Sequence, residues 1–282
     1  MTPESEIRLL ALDVDGTLAA RGDEVSPATR SALHRAAGAG IHVAIATGRR
    51  YRTTLRVVES LGRETDVVCL GGALVKAGDG RTLHTRHFEA AEFASIHELA
   101  RAHGQAIVCQ RDSAEHGGAD FVIDADVEWN DSTHGYAERN RAFAAHGRGL
   151  GIASCPDALV IGAFGVEPEL RAWYEAIEDL HPGRFLPNLV PAGLGNAWYL
   201  ELTPRDVSKW TGLCALARLL DLPESSICAV GDQTNDLPML REAGMAVAMG
   251  NAVDAVKQAA HWVTASCEED GLVAVVDRLL GA

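Results

Sequence analysis

The sequence predicts an α/β protein: a doubly wound, Rossmann-like parallel sheet with an α+β module inserted into it. Three observations predict it. Strand-length apolar runs alternate with helix-length segments up to residue 72, and the alternation resumes near residue 205. Between these stretches the rhythm changes to strands that read as antiparallel. Acids, hydroxyls and glycines follow directly on the apolar runs, as in "LALDVDGT", "VAIATGR" and "CAVGDQTND".

In order along the chain, "IRLLALDV" is apolar throughout and reads as a strand buried on both faces. "SPATRSALHRAAGAG" has a Ser cap, Pro27 at the first helical position and glycine at its end, the punctuation of a helix. "IHVAIAT", "YRTTLRVVESLG" and "DVVCLGG" continue as strand, helix and strand. This βαβαβ order implies right-handed crossovers with helices on both faces. "ALVKAGDGRTLHTRHF" then reads as a hairpin turning at Gly78-Asp79-Gly80.

In the middle third, "AAEFASIHELARAHG" and "EPELRAWYEAIEDL" are helices, and "QAIVCQ", "ADFVID", "DALVIGAFG", "GRFLPNLVP" and "AWYLELT" are strands. Residues 124–150 are polar and irregular with some helical character. Alternation then returns in "VSKWTGLCALARLLDL", "SSICAV", "NDLPMLREAG", "AVAMG", "NAVDAVKQAA", "HWVTA" and "EDGLVAVVDRLLGA". The simplest division is a core built from residues 1–81 and 198–282, with a second domain over 82–197.

Acids outnumber Lys and Arg by 39 to 25, a formal charge of −14 over 282 residues. That argues against a nucleic-acid or anionic-membrane partner, which would demand clustered positive charge. Six cysteines without CxxC spacing read as free thiols of a reducing, cytoplasmic compartment. The first residues form no secretory signal, and no apolar run is long enough to span a bilayer. His84 and His87 fall on opposite faces of a strand and do not suit joint metal ligation. Gly193 and Gly195 give an incomplete dinucleotide fingerprint, and no P-loop is present.

In parallel sheets ligands bind beyond the C-terminal strand ends. Asp13 and Asp15, Thr47 and Gly48, and Gly231 and Asp232 all fall at such ends, and Lys209 opens a helix near the same edge. These segments, "DVDGTL", "TGR", the lysine of "RDVSKWTGL" and "GDQTND" with "LPML", resemble the four ordered motifs of the haloacid dehalogenase superfamily. With "LGGALV" and the large middle insert, they resemble its Cof-type phosphatases, whose cap lies between the second and third motifs.

The resemblance implies a Mg²⁺-dependent phosphatase acting on small phosphorylated metabolites, sugar phosphates foremost, through an aspartyl-phosphate. Asp13 would attack phosphorus, and Asp15 would protonate the leaving alkoxide and then deprotonate water. Two neighbouring carboxylates push their proton affinities apart, which suits this division. By similarity the metal would lie on the Asp13 carboxylate, the Asp15 main-chain carbonyl and Asp232, with Asp236 as a further ligand or a support. Thr47, Gly48, Lys209 and Asn235 would bind phosphate, with Arg49 or Arg50 as auxiliaries. Arg111, His116, Asn130 and His134 of the insert are candidates to touch the leaving group. A phosphomutase or phosphotransferase of the same fold, or a non-catalytic phosphometabolite-binding module, are the alternatives. The expected assembly is a monomer or small homo-oligomer.

Two positions depart from the resemblance. Gly71 stands where such proteins often carry Asn, and Asp206 stands where they carry Gly before "VSK". Asp206 is expected to cap the helix that Lys209 opens.

Overall fold

The computed structural model describes residues 6–20, 22–114, 118–147, 155, 157–192 and 196–281. Residues 1–84 with 208–282 form one compact unit and residues 85–207 form another.

The first unit is built on an eight-stranded sheet. Its strands are β1 (Leu9–Leu12), β2 (His42–Ala46), β3 (Asp66–Cys69), β4 (Leu74–Lys76), β5 (Thr82–Thr85), β12 (Ile227–Gly231), β13 (Met245–Ala248) and β14 (Trp262–Val263). Their order is β14-β13-β12-β1-β2-β3-β4-β5. β1 is fully buried and pairs in parallel with β12 on one side and β2 on the other. The chain therefore runs outward from β1 through β2 and β3, then returns to β1's other flank. This reversal of direction beside β1 opens a crevice at the C-terminal strand ends. β4 turns antiparallel to β3, and the expected turn closes with Gly80 N–H bonding to Ala77 O at 2.8 Å.

Helices α1 (Pro27–Gly38), α2 (Tyr51–Leu61), α6 (Lys209–Leu219), α7 (Leu237–Glu242), α8 (Asp254–Ala259) and α9 (Gly271–Leu280) accompany this sheet. α1 starts where the sequence places it: Ser26 Oγ accepts from Thr29 N at 3.0 Å and Pro27 opens the first turn. Such a cap contributes about 1 kcal/mol. α6 and α7 bury Leu213, Leu216, Met239 and Leu240 against Leu9, Ala11, Ala229 and Ala246 of the sheet. The small strand residues let helices lie close to the strand ends that carry the polar groups.

The second unit holds a six-stranded sheet of order β10-β11-β9-β6-β7-β8. The strands are β6 (Ile107–Gln110), β7 (Phe121–Asp124), β8 (Ala144–Gly147), β9 (Val160–Gly165), β10 (Phe185–Pro191) and β11 (Trp198–Pro204). All its pairings are antiparallel except β7 with β8. Helices α3 (Ala90–Ala102) and α5 (Glu167–Leu180) place Phe93, Ile96, Leu170, Trp173 and Ile177 on Ile107, Ile161 and Leu200. α4 (Asp131–Arg139) contributes Ala137 and Tyr136 to a smaller cluster around Phe121, Ile123 and Phe164. α4 and β8 lie in the stretch the sequence left irregular.

The unit boundary falls after Val207, not after residue 197 as the sequence reading has it. The reason is β11, which pairs along its length with β10 and with β9 and so belongs to the second sheet. The first boundary falls after His84, because β5 joins the first sheet. Among the described residues no helix is long and apolar enough to cross a membrane, and all six cysteines are free.

Candidate active site

Asp13 follows β1 directly, Asp232 follows β12, and Asp236 sits one turn further on, before α7. Their carboxylates converge: one oxygen from each lies within 4.8 Å of the others. All three are buried. Lys209 joins them from the first turn of α6, with Nζ 2.6 Å from both Asp13 Oδ1 and Asp236 Oδ1. Ser208 fixes that turn, because its hydroxyl accepts from Thr211 N at 3.2 Å while Thr211 Oγ1 accepts from Ser208 N at 2.9 Å. Asp206 does not cap α6 as expected. Ser208 is the better placed residue, and Asp206 pairs instead with Arg86 Nε at 2.8 Å.

The loop after β12 is organised by Asp236. Its Oδ2 accepts from the main-chain N–H of Asp232 at 2.9 Å and of Gln233 at 3.0 Å. Both oxygens of Asp236 are thus engaged within the protein, one by Lys209 and one by the loop. Asp232 accepts from Thr17 Oγ1 at 3.2 Å and from Gln233 Nε2 at 3.3 Å. Space around it is kept by glycine. Gly16 has φ of +84°, and a Cβ there would collide with the Asp232 carboxylate. A Cβ on Gly231 would approach the Asp236 carboxyl carbon to 2.5 Å.

Thr47 and Gly48 lie at the end of β2. Thr47 is buried, with its hydroxyl accepting from Arg49 N at 3.1 Å. Asn235 is exposed, and its Nδ2 lies 4.0 Å from where a Gly48 Cβ would stand. Asp15 departs from the carboxylate cluster. Its exposed side chain meets Arg49 in a fork, Nε to Oδ2 at 2.9 Å and Nη2 to Oδ1 at 2.5 Å. Arg49 Nη1 reaches Asp23 Oδ1 at 2.6 Å. The hydrogen bonds that Arg49 donates to Asp15, opposed by burial and reinforced by Asp23, hold its guanidinium firmly charged.

The Asp13 carboxyl is raised to about 7: burial lifts it most, Lys209 opposes the rise, and Asp236 adds to it. Burial, then Asp236, also raises Asp232. Full burial works against the Lys209 ammonium, yet Asp13 and Asp236 together push it above its ordinary value. Three carboxylates face one ammonium, so the cluster carries surplus negative charge. The donors are all hard oxygens, and the set is small. Those are the features that suit Mg²⁺, which keeps several waters and takes few protein ligands.

Sequence reasoning did not anticipate the Asp15–Arg49–Asp23 arrangement, which joins residues far apart in the chain. It also missed Asn251, which donates from Nδ2 to Gly16 O at 2.8 Å and accepts from Cys267 N at 2.8 Å. The available signal was its place just past β13, at another C-terminal strand end. In the second unit, Asn130 caps α4 by accepting from Thr133 N at 2.9 Å and donates to Phe164 O at 2.6 Å, so its amide is occupied structurally. His134 packs against Trp129, and Arg111 is half-buried with a buried, unpartnered Nε. His116 lies outside the described residues.

A family model described as haloacid dehalogenase-like hydrolase matches residues 10–143 and 170–276. The chain is 30% identical to Phosphatase YwpJ of Bacillus subtilis, over 97% of this chain and all of that protein. It is 29% identical to the 5-amino-6-(5-phospho-D-ribitylamino)uracil phosphatase YitU of the same species, over 95% and 96% of the two chains. A solved haloacid dehalogenase-like hydrolase from B. subtilis superimposes with a TM-score of 0.72 at 26% identity, covering 97% of this chain and 100% of that one.

Proposed function

We propose that this chain, which belongs to the haloacid dehalogenase-like hydrolases and is a phosphatase, hydrolyses small phosphate monoesters through an aspartyl-phosphate on Asp13 with Mg²⁺ as cofactor. The observation that carries the reading is the convergence of Asp13, Asp232, Asp236 and Lys209 at one strand edge. The Asp13 carboxylate, the Asp15 main-chain carbonyl and the Asp232 carboxylate would hold the ion. Asp236 has both oxygens occupied and serves to orient Lys209 and the Asp232 loop. When bound, Mg²⁺ neutralises charge shared between carboxylates and phosphate, so that an anion can approach an anionic ester.

Thr47, the Gly48 N–H and Asn235 hold phosphate oxygens, and Lys209 stabilises the charge that builds on them. In the first step an Asp13 oxygen bonds to phosphorus as the bond to the leaving oxygen breaks, and Asp15 gives that oxygen a proton. In the second step water attacks the aspartyl-phosphate, its proton passes to Asp15, and the Asp13 oxygen–phosphorus bond breaks. Each step shifts charge without net change, and Asp13 and Asp15 both return to their starting states.

The substrate class we favour is a phosphorylated sugar or polyol. Such esters have alkoxide leaving groups that need protonation, which gives Asp15 a task. YitU is named for a ribityl phosphate, an ester of this kind. The net charge of −14 and the scattered free cysteines support action in the cytoplasm without nucleic-acid or membrane partners.

The test is a panel of phosphorylated metabolites and p-nitrophenyl phosphate, assayed with and without Mg²⁺. Metal-dependent release of equal amounts of phosphate and alcohol is expected. Phosphate transferred to an added sugar instead would establish a phosphotransferase. No metal-dependent release from any ester at high enzyme concentration would remove the reading.

A further inference from the structure

Arg49 presents an arrangement that phosphate binding does not explain. Its three guanidinium nitrogens are all turned to protein carboxylates: Nε and Nη2 to the two oxygens of Asp15, and Nη1 to Asp23. The Arg49 backbone is fixed as well. Its N–H donates to Thr47 Oγ1 at 3.1 Å, and its carbonyl accepts from Leu70 N at 2.9 Å. The guanidinium is therefore aimed from a rigid strand end, and the fork matches carboxylate geometry on both oxygens.

Stability does not account for it. The Asp15 side chain is 64% exposed, where solvent screens an ion pair and leaves it little to add to folding. What the fork does determine is direction. A lone exposed Asp samples several rotamers; one gripped on both oxygens points one way. Asp23 supplies the counter-charge that keeps Arg49 itself in place, so two like-charged carboxylates are held by one cation.

We infer that Arg49 is a positioning residue for Asp15, with Asp23 as its anchor, and that it does not bind phosphate. This inference rests on the phosphatase reading, in which Asp15 moves the protons; the oxygen that carries the proton leaves its Arg49 bond while the other oxygen keeps the grip. It replaces the expectation that Arg49 assists Thr47 and Gly48 with phosphate oxygens.

The experiment is a double-mutant cycle read over a series of esters from p-nitrophenyl to simple alkyl phosphates. Arg49→Ala lowers kcat about ten- to a hundredfold on alkyl esters, from loss of alignment, and less on p-nitrophenyl phosphate, with KM little changed. In the Asp15→Asn background the same substitution costs nothing further, because the group it orients is gone. Arg49→Lys does not restore the rate, because an ammonium cannot grip both oxygens. Asp23→Asn gives a smaller loss with the same leaving-group pattern.

A rise in KM, or an equal loss with and without Asp15, would mean that Arg49 touches phosphate, and the inference fails. Should Arg49→Ala not fold, as judged by circular dichroism, Arg49→Gln and Asp23→Asn carry the same cycle. Failure of the phosphatase reading shows separately, as absence of turnover in the unaltered protein.

Discussion

The two units treat buried charge differently. In the second unit it is paired locally: His97 Nε2 lies 2.6 Å from Asp124 Oδ2, and Glu92 is bound by Arg184. In the first unit Asp13, Asp232 and Asp236 share a single Lys209, and burial has pushed Asp13 and Asp232 upward. Pairs built for structure close on themselves. In the proposed reading, a site that receives a cation and an anion is left with charge to spare. The contrast separates structural from chemical polar groups more sharply than burial, which both kinds share.

Substitutions should break this contrast in graded fashion. Asp13→Asn is expected to lower kcat by roughly a thousandfold or more while leaving the far-ultraviolet circular dichroism intact, since a nucleophile has no substitute within the site. Lys209→Met leaves three buried carboxylates without their cation. The loss should be about 3–5 kcal/mol in urea titrations, and added Mg²⁺ should restore part of it. Asp124→Ala is the mirror case. It strips His97 and the Asp126 N–H of their acceptor and should cost about 2 kcal/mol, yet leave the rate per folded molecule on p-nitrophenyl phosphate unchanged. If Asp124→Ala abolished turnover without unfolding, the proposed division of labour would be wrong.

Mg²⁺ should stabilise the intact chain by about 2.7 kcal/mol at a hundred times its dissociation constant, seen as a rise in Tm. The rise should vanish in a chain that carries both Asp13→Asn and Asp232→Asn. The smallest effect concerns Glu201 of β11, whose carboxyl is raised by burial, against the lowering effect of bonds from Asn188 and Gln110. A carboxyl raised in the folded state binds its proton there over a pH range in which the unfolded chain has lost it. Stability is then lost as pH rises through that range. Glu201→Gln should therefore gain in relative stability between acid and neutral pH, and pH-dependent thermal melts would show the curves of the two proteins converging in acid.

Much of the fold was legible because the central strands of the first sheet are largely apolar, as β1 shows, and the helices carry their own punctuation, as Ser26-Pro27 shows. Asp13, Thr47 and Asp232 stood out because each directly follows such a strand. β8 was not, since "AAHG" offers neither alternation nor branched side chains, and only its pairing with β7 makes it a strand. β11 was read as a strand of the middle third, but the boundary drawn at residue 197 cut it off from that unit, because pairing partners are not written in a strand's own residues. Asp206 was read as the cap of α6, but Ser208, two residues on, takes that place, while the distant Arg86 engages Asp206. The grip of Arg49 on Asp15 is likewise a contact across chain distance, invisible to any local pattern.

Gly16 and Gly231 carry a consequence for engineering. Neither has a side chain to perform chemistry, and a survey of reactive groups would pass over both. Yet an alanine at either would press a methyl group onto a carboxylate of the buried acid cluster, so the emptiness at these two points is what lets the cluster form. Saturation mutagenesis should return them as intolerant as the acids they make room for.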